Sequence, residues 1–139
     1  MPDELQIGTH KLRITGNTVL TRWIGTPEYE DVLAVHQHLD QVLSEHGRAF
    51  VINDMRQSGL PSTKTRKWIA EWARRNPVVS VVNFGASLPI RILQTLIFRA
   101  LTVVGNGPTI ESVHCGSEAE AFAWIAARSR QIPSGSKTV

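Results

Sequence analysis

The sequence predicts a single α/β domain: a five-stranded, mostly parallel sheet with one antiparallel edge strand, covered by four helices. Three observations lead there. Short β-branched runs alternate with longer stretches of helical period, Val78 to Phe84 is rich in valine, and turn residues mark the junctions between them. Strands alternating with helices imply a parallel sheet joined by right-handed crossovers, and a continuously apolar strand is one covered on both faces. With 139 residues, 42% hydrophobic and 19% charged, the chain has room for one self-buried core and not for a second domain.

The elements follow in order. Residues 1–9 read as an N-terminal extension, and the domain as 10–131. His10 to Thr15 alternates polar and apolar residues, Gly16-Asn17 supplies turn chemistry, and Thr18 to Ile24 is β-branched and aromatic, so an opening hairpin is expected. Thr26-Pro27 reads as a helix cap followed by proline at the first helical position. That helix puts Val32, Val35, Leu39, Val42 and Leu43 on one stripe and stops at Gly47.

Ala49 to Asn53 is an apolar strand, with a polar exit loop from Asp54 to Pro61. Trp68, Ile69, Trp72 and Ala73 restore the helical period from Ser62 to Asn76, where Pro77 ends it. After the valine-rich strand, Ser87 caps a third helix that runs to a left-handed stop at Gly105. Thr109 to Cys115 is the fifth strand, and Ser117 with Glu120 has the spacing of a capping box for a last helix to about Arg130. Residues 132–139 lack apolar period and read as a flexible tail.

Composition narrows the function classes. Met1 to Gly8 carries Asp3 and Glu4 and does not resemble a secretory leader, so a cytoplasmic protein is expected. Cys115 is the lone cysteine, which excludes an internal disulfide and a Cys-rich metal cluster. A net charge of +3 is too small to mark a nucleic-acid binder, and Lys64, Arg66, Lys67, Arg74 and Arg75 read as a solvated helix face. Leu88 to Val104 is interrupted by Arg91, Gln94 and Arg99, and falls short of a membrane span.

One motif is more pointed. Asn53-Asp54-Met55-Arg56-Gln57-Ser58-Gly59-Leu60 places an Asp, a hydroxyl residue, Gly and Leu after an apolar strand and before a helix. Together with the element order, it resembles the STAS domain of sulfate transporters and anti-sigma factor antagonists, and its SpoIIAA-like relatives, over roughly residues 10 to 130. The resemblance implies a non-enzymatic regulatory domain with a protein partner, a regulatory kinase or an anti-sigma factor, and makes Ser58 the hydroxyl open to phosphorylation. Arg56 and Gln57 depart from the family, which usually has an acidic and a second hydroxyl residue there, and Pro61 replaces a small residue. Related folds include lipid-binding CRAL-TRIO modules. An apolar-ligand or lipid-binding domain, with a cavity under the 88–104 helix, is therefore the alternative.

Ligands of open α/β sheets gather outside the carboxyl ends of the strands. Those ends supply a candidate rim of Asp54, Arg56, Gln57, Ser58, Gly59, Leu60, Ser87 and Cys115. Ser58, Ser62, Ser87 and Ser117 also read as helix caps, and a phosphate on Ser58 would stand near Arg56 and Lys64. The third helix is apolar nearly all round. Ile92, Leu93, Leu96, Ile97 and Leu101 are its candidate contact residues, toward a second copy of the chain or over a ligand cavity. A carrier should enclose several hundred cubic ångströms.

Catalytic and metal readings have little to build on, and neither a catalytic residue, a metal nor a cofactor is expected. The nearest trio, Cys115 or Ser58 with His114 and Asp54, suffers because adjacent strand residues point to opposite faces. His36 and His38 stand two apart on a helix and share no face, so they read as partly exposed. Gly105-Asn106-Gly107 precedes a strand and reads as a turn, not a phosphate loop. Trp68 and Trp72 read as core, Trp124 as exposed to a partner, and alternation leaves the face of Trp23 open.

Overall fold

A computed structural model describes residues 4–76, 78–104 and 111–131. Six strands form one sheet in the order of the sequence: β1 (Glu4–Ile7), β2 (His10–Thr15), β3 (Thr18–Gly25), β4 (Ala49–Ser58), β5 (Val79–Phe84) and β6 (Glu111–Cys115). Four helices accompany them: α1 (Tyr29–His46), α2 (Thr63–Arg75), α3 (Leu88–Val104) and α4 (Glu118–Gln131). The expected mixed sheet and four helices are present. The sixth strand comes from residues read as an extension, since Glu4–Ile7 pairs antiparallel with β2. Four residues are too few to carry a convincing alternation on their own, and the pairing exists only because β2 offers an edge.

β1–β2 and β2–β3 are antiparallel, and β3–β4, β4–β5 and β5–β6 are parallel. The three parallel crossovers all step the same way, and right-handed crossovers of that kind must put α1, α2 and α3 on one face. The core agrees. Val32, Val35, Leu39 and Val42 of α1 and Trp72 and Ala73 of α2 close over Leu12, Val19, Trp23, Val51 and Val79. On the opposite face, Ala121 and Ile125 of α4 pack on Leu20, Phe50, Ile52, Val82 and Phe84. Trp23 thus takes the α1/α2 face.

Several boundaries differ from the sequence reading. The cap of α1 is Glu28, not Thr26, and its side chain makes no capping hydrogen bond; Gly47 stops the helix at φ 79° as expected. β4 continues through Asp54 to Ser58, where a loop was expected. Its register against β3 moves from Arg22↔Asp54 to Ile24↔Gln57, so β4 carries one extra residue there, a bulge. Polar residues can finish a strand when a neighbour supplies the ladder, and Gly59 N–H still donates to Gly25 O at 2.9 Å. Ser62 caps α2 by accepting from Thr65 N–H at 3.2 Å. At α4, Ser117 Oγ accepts from Glu120 N–H at 3.2 Å while Glu120 Oε1 accepts from Gly116 N–H at 2.7 Å, so the box closes one residue early. The stop at Gly105, the Gly105-Asn106-Gly107 turn and the 132–139 tail lie outside the described residues.

Trp124 corrects a sequence expectation. It is partly buried against the α4-side core, and Phe122 is the aromatic residue of α4 left 38% exposed. Trp124 stands three residues after Ala121 and next to Ile125, on the stripe of α4 that packs on the sheet. His36 is partly exposed, as its helical position suggests, but it is also packed on two indoles. Its ring sits edge-on to Trp68 and Trp72, with centroids 4.9 and 4.6 Å away, and Nδ1–H donates to Val32 O at 2.8 Å. Burial holds its pKa below the ordinary histidine value, against the opposing pull of the Val32 carbonyl and Asp40.

Candidate functional site

At the carboxyl end of β4, Asp54 is buried to 1% exposure on the α4 side of the sheet. Its cross-strand neighbour is Arg22, whose Nε donates to Oδ2 at 3.2 Å. Arg56, two residues on, donates Nε to Oδ1 at 2.9 Å and Nη2 to Oδ2 at 2.6 Å, a bidentate fork. The Arg56 backbone N–H also reaches Oδ1, at 3.2 Å. The bulge thus turns a peptide group toward the carboxylate. Burial pushes the Asp54 carboxyl up, but the Arg56 and Arg22 hydrogen bonds outweigh it and hold the pKa below the ordinary value. Arg56 then lies over the Phe84 ring, 5.4 Å from its centroid, and crosses Gly85. Gly85 has φ 76°, and a Cβ there would stand 2.3 Å from Arg56 Cγ.

This cluster gives Arg56 a structural role at the rim. It is tied to Asp54 and shapes the rim. Lys64 is also engaged, with Nζ 4.1 Å from the Tyr29 ring centroid. Ser58 is the last residue of β4, four residues before the Ser62 cap, so it is not itself the cap of α2. Its hydroxyl donates to Gly59 O at 2.9 Å and is partly exposed. Gln57 and Leu60 are exposed beside it, and Gly59 is packed within 3.1 Å of Thr26 Oγ1 if given a Cβ.

The carboxyl ends of β5 and β6 frame an open cleft of about 370 Å³, lined by Asn83, Phe84, Gly85, Ala86, Arg91, His114, Cys115 and Gly116. Ser87 begins α3 through its carbonyl, which accepts from Arg91 N–H at 2.9 Å. Burial and then the Arg91 charge lower the His114 pKa, while burial and then Glu120 raise that of the Cys115 thiol. A raised thiol pKa disfavours the thiolate needed for nucleophilic chemistry. In β6, Ser80↔Glu111 and Phe84↔Cys115 share one parity and Asn83↔His114 the other, so His114 and Cys115 face opposite sides. The trio weighed from sequence is not assembled, since Asp54 holds arginines and Ser58 holds Gly59. Among the described residues, no three His, Cys, Asp or Glu side chains are grouped to hold a metal ion.

A second, more enclosed space lies between the sheet and helices α1, α2 and α3. It measures about 150 Å³, and its walls include Trp23, Val35, Met55, Trp72, Val81 and Leu93. Among its polar lining residues are Asn53, Asn83 and Gln94, with His36 and Arg66 also on the wall. The alternative reading of a ligand cavity under the third helix asks for several hundred cubic ångströms, and this partly open space is well below that. On the outer side of α3, Leu88, Ile92 and Leu96 are 66%, 52% and 57% exposed, one turn apart, while Ile90 is buried and Leu93 half-buried. Ile97 and Leu101 have side chains outside the described residues.

Sequence reading missed Arg22, Asn83 and Gln94. Asn83 carried a signal, as one of two polar residues, with Ser80, in the otherwise apolar run Val79-Ser80-Val81-Val82-Asn83-Phe84. Arg22 had none, because only the strand register brings it beside Asp54.

The fold thus defined is SpoIIAA-like: an antiparallel edge, a parallel sheet and the same progression of helices. Among solved structures, the chain is similar to the anti-sigma factor antagonist SpoIIAA in its unphosphorylated form, with a TM-score of 0.56, 12% sequence identity, and coverage of 91% of this chain and 98% of that one. No protein-family model matches the chain, and no curated protein matches it significantly. At 12% identity the likeness establishes the architecture. No described helix is long and apolar enough to cross a membrane.

Proposed function

We propose that the chain is a non-enzymatic, cytoplasmic regulatory domain of the anti-sigma factor antagonist type, which docks a protein partner on the rim around Ser58 and the adjoining face of α3. The observation that carries this reading is the exposed stripe of Leu88, Ile92 and Leu96. It leaves the sheet directly after Phe84 and Gly85, against which Arg56 packs. Three large apolar side chains at successive turns are a contact surface seeking cover. A protein partner, either an anti-sigma factor or a regulatory kinase, fits the combination of that stripe with a charged, hydrogen-bonded rim. A second copy of the chain is the other occupant the stripe would accept.

Phosphorylation of Ser58 would place nearly two negative charges at the end of β4, two residues beyond Arg56. The added charge competes for Arg56 and reshapes the rim, which is how a single modification would release a partner.

The test is crosslinking of the tagged chain in its own host, followed by intact-mass analysis. The wild type and Ser58→Ala are expected to recover one and the same protein, and Ser58→Asp and the double change Leu88→Asp/Ile92→Asp to lose it. Equal recovery by Ser58→Ala and Ser58→Asp would refute the switch, and undiminished recovery by the double variant would refute the surface. Native mass spectrometry of the same sample reports whether the stripe instead joins two copies.

A further inference from the structure

The 150 Å³ space beneath α3 holds a paired hydrogen-bonding edge, and its polarity is dictated by chemistry. Trp23 Nε1–H donates to Asn53 Oδ1 at 3.0 Å. An indole N–H can only donate, so that atom of Asn53 must be the carbonyl oxygen. Asn53 Nδ2–H then donates to Asn83 Oδ1 at 2.9 Å. The relay ends with Asn83 Nδ2, which is buried at 0% exposure and has no partner among the described residues.

Gln94 ends on the opposite sign. Its Nε2 faces Met55 Sδ at 3.3 Å, and a thioether can only accept, so the oxygen Oε1 is the free atom. That oxygen is also buried and without a partner among the described residues. A donor on the sheet and an acceptor on α3 therefore line one small apolar chamber. Unmet buried groups of this kind are costly, and each calls for an occupant.

We infer that this chamber is a binding site for a small, uncharged, single-ring molecule with an amide-like edge, whose carbonyl accepts from Asn83 and whose N–H donates to Gln94. The size follows from the volume, since an apolar cavity of about 150 Å³ accommodates benzene. Neutrality follows from the walls. Among the described residues the one cation lining the space, Arg66, is committed to Pro61 O at 2.8 Å and Thr63 Oγ1 at 3.0 Å, and burial disfavours a charge on His36. This inference stands independently of the partner surface, because Leu88, Ile92 and Leu96 lie on the exposed side of α3.

The experiment titrates the full chain with benzamide, benzoate and toluene while following the indole N–H signals of Trp23 and Trp72 by NMR. Benzamide is expected to shift both signals saturably and to bind about tenfold or more tighter than toluene, which lacks the polar edge. Gln94→Leu is expected to remove about tenfold of benzamide affinity while keeping toluene, which also shows that the variant is folded. Asn83→Leu supplies the matching loss from the sheet side. No saturable shift with benzamide, equal affinity for benzamide and toluene, or a preference for benzoate would each overturn the assignment. The first of these would mean that ordered water alone satisfies Asn83 and Gln94.

Discussion

Replacing Gly85 by alanine tests the geometry of the rim directly, because two separate costs meet at that position. The first is conformational. Gly85 has φ 76°, in the left-handed region, where a Cβ costs about 1–2 kcal/mol. The second is steric. The new methyl would stand 2.3 Å from Arg56 Cγ and 3.3 Å from the Arg56 backbone nitrogen. The side chain cannot yield by moving its tip alone, since Cγ is close to the backbone and the guanidinium is forked on Asp54. Forcing a methyl into occupied space costs about 1–3 kcal/mol, so the substitution should destabilise the domain by about 2–5 kcal/mol in total. In an Arg56→Ala background the Cγ obstruction is removed and only the 3.3 Å backbone contact remains, so the cost of Gly85→Ala should fall toward the conformational part, about 1–2 kcal/mol. Urea unfolding of the four proteins of this double-mutant cycle measures both values. If Gly85→Ala costs the same with and without Arg56, then Arg56 does not cross the end of β5, and the description of the rim fails.

Two further outcomes concern charge. Asp54→Asn keeps the shape but removes the carboxylate that two arginines share, and should cost about 1–3 kcal/mol at pH 7. The Asp54 pKa is depressed in the folded state, so the unfolded chain binds the proton first. The contribution is present above the unfolded value of about 3.9 and is lost as pH falls through the folded one, so in urea unfolding the gap between wild type and variant should narrow progressively as pH is lowered below about 3.9. His36 is also depressed, and its neutral ring is the form wedged between Trp68 and Trp72. Stability should therefore decline as pH falls below the unfolded value of about 6.5, and His36→Phe should decline less over pH 7 to 5. Parallel curves for the two proteins would remove His36 as the cause.

The elements themselves were legible because their signals are local. The α1 stripe of Val32, Val35, Leu39 and Val42, the Ser62 cap, the Gly47 stop and the apolar run of β5 each declare themselves within a few residues. Alternation of strand and helix, together with the handedness of crossovers, then leaves few arrangements of the sheet. The rim was legible as a place, since the ends of parallel strands are where a ligand or partner reaches this architecture.

What tertiary structure decided were pairings between distant residues, for which no neighbouring position carries a record. Glu4–Ile7 is a strand because β2 offers it an edge, and β4 runs on to Ser58 because β3 continues beside it. Arg22 meets Asp54 through register, and Arg56 closes on Asp54 because a bulge turns its backbone toward the carboxylate. Trp23, Asn53 and Asn83 form a relay only when three strands lie side by side, and Gln94 completes the chamber only when α3 folds back over them. Local periodicity says which face of an element is apolar; the stacking of elements decides which polar atoms end up inside it, and those atoms set what the cavity can bind.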